Sequence, residues 1–126
     1  MVLVDTSVWI RFLANRAPHA QELERLLALD EVYGHELIYG ELLIGDPAGR
    51  GKLLANYGKI AQARIVPHRE VVAFVRDRNL CGRGVSWIDV HVLASALVER
   101  LHLWTADQRF AAVANECGVG YRLALD

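Results

Sequence analysis

The sequence predicts an α/β domain, a parallel sheet with helices on both faces. Short apolar runs alternate along the chain with stretches of helical periodicity. The first run, Met1-Val2-Leu3-Val4, is continuously apolar, which suits a strand buried on both sides. Asp5-Thr6-Ser7 follows it at once, where a strand gives way to a helix. Open parallel sheets bind their ligands just outside the carboxyl ends of the strands.

The chain has 126 residues, 53% of them apolar, so one domain spanning 1–126 with an ample core is expected. Lys and Arg number 14, Asp and Glu 15, for a formal charge of -1. That balance demands no polyanionic partner, although a metal site would add positive charge that the count omits. Cys81 and Cys117 lack metal-type spacing and read as free thiols of a reducing compartment. The first strand starts at residue 1, so no leader peptide is expected. No apolar stretch approaches the ~20 residues of a membrane span. A soluble, cytoplasmic protein with no membrane association is the expectation.

The elements follow in order. Val8 to Leu13 forms a short helix capped by Thr6 or Ser7. Pro18 suits the first turn of a second helix, whose Gln21–Leu29 stretch puts Leu23, Leu26 and Leu27 on one face. Val32-Tyr33-Gly34 is a second strand. His35 to Ile44 is helical, stopped by Gly45-Asp46-Pro47, and sets Glu41 on a face with Ile38 and Leu42. Gly51 to Ala63 is a helix, and Arg64-Ile65-Val66 a third strand ended by Pro67. Arg69 to Leu80 is helical and breaks at Cys81-Gly82-Arg83-Gly84, a turn too short to be a phosphate loop. Ser86 to Leu101 is a long helix with His91, Ser95, Glu99 and His102 as a solvated stripe and Asp89 opposite, beside Val85, Val92, Leu93 and Ala96. Leu103-Trp104-Thr105 is the fourth strand, Asp107 to Glu116 the next helix, and Gly120 to Leu123 a fifth strand. His19, His35, His68, His91 and His102 are scattered and read as ordinary surface or partly buried residues. Trp9, Trp87 and Trp104 read as core or interface.

Four acids stand out: Asp5, Glu41, Asp89 and Asp107. Each of the aspartates also has a purely structural reading. Asp5 and Asp107 suit N-caps, and Ser86-x-x-Asp89 resembles a capping box. Glu41 lies mid-helix among apolar residues, where a carboxylate is costly unless paired or bound. Jointly they point further. Asp5 and Asp107 follow strands and so share one end of the sheet, and Glu41 and Asp89 point inward from flanking helices. Clustered carboxylates raise one another's pKa, and a hard divalent cation relieves that repulsion. The oxygen donors suit Mg²⁺ or Mn²⁺, and no His–Cys cluster indicates zinc.

The Val-Asp-Thr-Ser opening, Glu41-Leu-Leu-Ile-Gly45, Ser86-Trp-Ile-Asp89-Val-His-Val-Leu-Ala and Trp104-Thr-Ala-Asp107-Gln-Arg-Phe110 together resemble, in order, the acidic motifs of PIN-domain proteins. Length and spacing are similar to the VapC-type toxins of toxin–antitoxin pairs. The resemblance implies a three-layer α/β/α PIN-like fold with a parallel sheet of four to five strands in order 3-2-1-4-5. It implies a Mg²⁺- or Mn²⁺-dependent endoribonuclease, a homodimer and a cognate antitoxin that blocks the site. By position it implies that Asp5, Asp89 and Asp107 hold metal, that Glu41 completes the catalytic acidic pocket, and that Thr105 is a supporting hydroxyl. The fourth motif departs from the pattern: Gln108-Arg109 stands where a further acid is common, which leaves one or two metals open. Arg11, on the helix after Asp5, is the expected contact to the RNA backbone. The alternative is a non-catalytic PIN-like module that scaffolds a protein or RNA partner. Phosphotransfer sites fit poorly, since no lysine lies near Thr105 and the second residue after Asp5 is Ser7.

Overall fold

The computed structural model describes residues 1–45 and 51–123. Strands β1 (Val2–Val4), β2 (Val32–Gly34), β3 (Ala61–Gln62) and β4 (His102–Trp104) form one parallel sheet in the order β3-β2-β1-β4. Around them lie helices α1 (Thr6–Leu13), α2 (His19–Ala28), α3 (Glu36–Ile44), α4 (Gly51–Tyr57), α5 (His68–Asp77), α6 (Trp87–Glu99) and α7 (Gln108–Glu116). The arrangement is the three-layer α/β/α architecture expected from the alternation of elements. Strand β1 is central, with Val2 opposite Val32 on one side and His102 on the other. Val2, Leu3 and Val4 are all buried, so both faces of the sheet are covered. The continuous apolar run has that double burial as its cause.

The fifth strand is reduced to a single parallel bridge between Leu103 and Gly120. Leu103 N–H donates to Val119 O at 2.7 Å, and Tyr121 N–H to Leu103 O at 2.9 Å. Gly120 passes so close to Asn115 that a Cβ there would sit 1.8 Å from its Oδ1. Tyr121 then turns its hydroxyl to Glu22 on α2.

The third strand also departs from the expectation. It is Ala61–Gln62, not Arg64-Ile65-Val66, and α4 stops at Tyr57 rather than Ala63. Tyr57 is the reason. Its ring is buried, and its hydroxyl accepts from His35 N–H at 2.8 Å and donates to His35 O at 3.3 Å. That anchor turns the chain at Gly58, and the Gln62 amide donates to Tyr57 O and Ile60 O across the turn. Ile65 lies outside the sheet and is exposed. The expected helix stop at Asp46-Pro47 lies outside the described residues.

The solvated stripe expected on the long helix is absent. His91 and Ser95 are buried, and Glu99 is half-buried beside Arg64. Only His102 of the four is exposed, and it belongs to β4. Every residue of α6 from Val90 to Ala96 is buried, because the helix is covered all round. His35 likewise is no surface histidine: it is wholly buried and caps α3. Trp9 and Trp104 are core residues. Both cysteines are free thiols, Cys81 exposed. Among the described residues, no helix is long and apolar enough to cross a membrane.

Candidate active site at the carboxyl end of the sheet

Asp5 ends β1 and occupies the N-cap position of α1, but its side chain makes no cap bond. Its Oδ2 instead accepts from Ser7 Oγ at 2.8 Å and Thr105 Oγ1 at 2.8 Å. Thr105 directly follows β4, so this carboxylate ties together the ends of two adjacent strands. Ser7 Oγ accepts from Ala106 N–H at 2.9 Å, and Thr105 Oγ1 from Asp107 N–H at 3.1 Å. A hydroxyl has one proton. Both protons go to Asp5, so the 3.1 Å contact between Ser7 and Thr105 has none of its own. The carboxylate therefore sets the direction of both hydroxyls.

The other acids are held locally. Asp107 caps α7, its Oδ1 accepting from Arg109 N–H at 2.9 Å and Phe110 N–H at 3.2 Å. Asp89 completes a capping box on α6: its Oδ2 accepts from Ser86 N–H at 2.9 Å, and Ser86 Oγ accepts from Asp89 N–H at 3.0 Å. Glu41, half-buried on α3, accepts from Thr6 Oγ1 at 2.5 Å through Oε1. Thr6 adjoins Asp5, which brings α3 to the same crevice.

The acids share one property. Each uses one carboxylate oxygen and leaves its second without a protein donor among the described residues. None is in an ion pair among the described residues. Glu22 and Glu116 are different, since arginines engage both oxygens of each. Burial pushes the Asp89 carboxyl above its ordinary pKa, against the Ser86 N–H, and the charges of Asp5 and Asp107 push it the same way. Asp5 and Asp107 are thus each within electrostatic reach of Asp89.

As the side chains stand, no three His, Cys, Asp or Glu among the described residues enclose an ion by themselves. The donors are nevertheless of the right kind for a hard divalent cation: all oxygen, unneutralised, with free acceptor positions. Mg²⁺ keeps several waters and binds through one or two carboxylates, so it does not require a closed protein cage.

The PIN domain family matches the chain over residues 2–116. This chain belongs to the PIN-domain family. Ribonuclease VapC32 from two strains of Mycobacterium tuberculosis is 42% identical over 120 residues, 94% of each chain. The solved structure of FitAcB from Neisseria gonorrhoeae aligns with a TM-score of 0.62 at 22% identity, covering 91% of this chain and 94% of that one. PAE2754 from Pyrobaculum aerophilum aligns at 0.57 and 19%, covering 88% and 82%. These two likenesses show the fold alone.

In this PIN domain the structural readings of Asp89 and Asp107 hold, since both cap helices. Ser7 and Thr6 do not cap with their side chains as expected, but donate to Asp5 and Glu41. Hydroxyls directly after a strand-ending acid were the available signal. Arg11 stands in the last turn of α1, near enough to His19 to lower its pKa behind the larger effect of burial. That is the end of α1 away from Asp5.

Proposed function

We propose that this PIN domain is the toxin of a toxin–antitoxin pair, a Mg²⁺- or Mn²⁺-dependent endoribonuclease that hydrolyses RNA phosphodiesters. The observation that carries the proposal is the unspent oxygen on each clustered acid. Asp5, Asp89 and Asp107 would hold the ion, and Glu41 would complete the acidic pocket. The ion they would hold would supply Lewis-acid polarisation of a phosphoryl oxygen and a water of lowered pKa. The chain's own residues do the rest. Ser7 and Thr105 fix the rotamer of Asp5, and Thr6 fixes Glu41, leaving the remaining oxygens aimed rather than free to swing. Fixed acceptors lose little on binding. Residues 1–126 are read as one domain, cytoplasmic and homodimeric, with a cognate antitoxin that blocks the crevice. The likeness to Ribonuclease VapC32 supports this reading, as do the acidic motifs in their order.

The test is cleavage of total RNA by purified protein with Mg²⁺, with Mn²⁺ and with EDTA, beside Asp5→Asn. Metal-dependent fragments that vanish in the variant are expected. No cleavage and no divalent-metal binding by calorimetry would defeat the proposal in favour of a scaffolding module.

A further inference from the structure

The fourth acidic motif continues into Gln108-Arg109. Arg109 is exposed, and its side chain lies across the loop between α5 and α6. A Cβ on Gly84 would come within 2.6 Å of its Cδ and 2.9 Å of its Nη1. Gly84 also has φ +79°, so glycine serves both the backbone and the arginine's resting place. The loop itself is pinned to α7, because Arg83 donates to both oxygens of Glu116. Glu116 is thereby used up, and among the described residues Arg109 has no carboxylate partner. Among the described residues this guanidinium, two residues from Asp107, has its donor fork unengaged.

The same loop bounds a cavity of about 170 Å³ between α5 and α6, walled by Val75, Leu80, Val85 and Val90. Drug-sized ligands need roughly 300 Å³ or more, so this open slot has room for no more than about one ring. Trp87 forms its edge, 43% exposed, with its indole braced by the rings of His68 and His91 at 5.1 and 5.0 Å. Ser86 belongs to both places: it lines the slot and binds Asp89. Strand-reading proteins join a cation for the backbone to an aromatic face for the base.

We infer that Arg109 and the Trp87-edged slot form a subsite for one nucleotide of the RNA, flanking the bond to be cut. The guanidinium takes the phosphate, and the slot and indole take the base. This deepens the endoribonuclease reading and rests on it. Arg109 is a positioning residue, and the subsite sets which base is preferred beside the cleavage point.

Trp87 is the exposed tryptophan, the other two being 2% exposed, so the part of the emission that is missing in Trp87→Phe reports on the slot. EDTA-treated protein is titrated with short single-stranded RNA of mixed sequence, following Trp87 emission and the anisotropy of an end label. Saturable quenching is expected. Arg109→Ala should weaken binding about tenfold and reduce the slope of log K against log salt by about 0.7. Arg109→Lys should restore the salt slope, and an abasic strand should bind without quenching. Trp87→Phe should retain binding by anisotropy. Unchanged affinity and slope in Arg109→Ala would overturn the inference. So would a wild-type protein that cleaves RNA with Mg²⁺ yet shows no quenching, which leaves the endoribonuclease reading standing. Absence of both RNA binding and metal-dependent cleavage would overturn both.

Discussion

His35 and Asp5 follow neighbouring parallel strands, β2 and β1, and both are buried, at 0% and 6% exposure. Each gathers hydroxyls around it. At His35 the accounts close. Nδ1 accepts from Leu37 N–H at 3.1 Å, so the ring proton is on Nε2 and is donated to Ser95 Oγ at 3.0 Å. Ser95 Oγ passes its own proton to Arg64 O at 2.6 Å. Tyr57 engages both the N–H and the carbonyl of His35. At Asp5 two hydroxyls converge on one oxygen and the other is left over. A closed network holds strands and helices in register; an open one has acceptor capacity for something else. Burial and polarity are alike in the two places. What separates the two places is the tally of donors against acceptors, closed at His35 and, among the described residues, open at Asp5.

The largest effect that would sharpen this contrast is on catalysis. Asp5→Asn should cut RNA cleavage about a thousandfold with little change in melting temperature, because the amide oxygen still accepts from the hydroxyls. A melting temperature that falls with the activity would make Asp5 structural and end the contrast. His35→Ala should do the reverse. It should cost about 3 kcal/mol in denaturant unfolding, from the cavity and the orphaned Leu37 N–H, while cleavage per folded molecule is retained.

The same histidine gives a pH signature. Burial, assisted by the charge of His91, pulls its pKa down from 6.5 to about 4. The folded state thus binds a proton less readily than the unfolded chain. The stability from neutral His35 is complete above pH 6.5 and is lost as the pH falls through about 4. The contribution approaches about 3 kcal/mol, and urea unfolding across that window should lose more stability in wild type than in His35→Phe by about that amount. Ser95→Ala should cost about 2 kcal/mol, since it leaves Arg64 O and the His35 Nε2–H unpaired. The smallest effect concerns orientation. Thr105→Val removes one of the two donors that aim Asp5 and should weaken Mn²⁺ binding about tenfold by calorimetry.

Much of the open site was legible in the sequence and little of the closed one. The doubly buried first strand and the helix bearing Glu41 follow from local patterns, an unbroken apolar run before a strand-ending acid and a carboxylate at helical spacing among leucines. The central place of that strand and the order 3-2-1-4 were implied only by the resemblance to PIN-domain proteins. The His35 network was invisible because its partners are 22 and 60 residues away. On α6, polar residues at helical spacing imitate a solvated stripe, and only tertiary cover reveals His91 and Ser95 as core. The third strand misled for the opposite reason. Ala61 and Gln62 are exposed and carry no pattern, whereas Arg64-Ile65-Val66 has the apolar look of a strand without the pairing. Arg109 gave a signal only as a departure from the acidic motif.

The double duty of Asp89 and Asp107 bears on how such a protein decays once selection on it relaxes. Each holds a helix start with one oxygen and keeps the other without a protein donor among the described residues, so a change that removes the carboxylate also tends to fray α6 or α7. Asparagine is the main escape, since it caps nearly as well as aspartate and carries no charge. Silent copies that persist as folded proteins should therefore be enriched in asparagine at position 107. Copies with other substitutions there should be cleared by proteolysis before they can sequester an antitoxin.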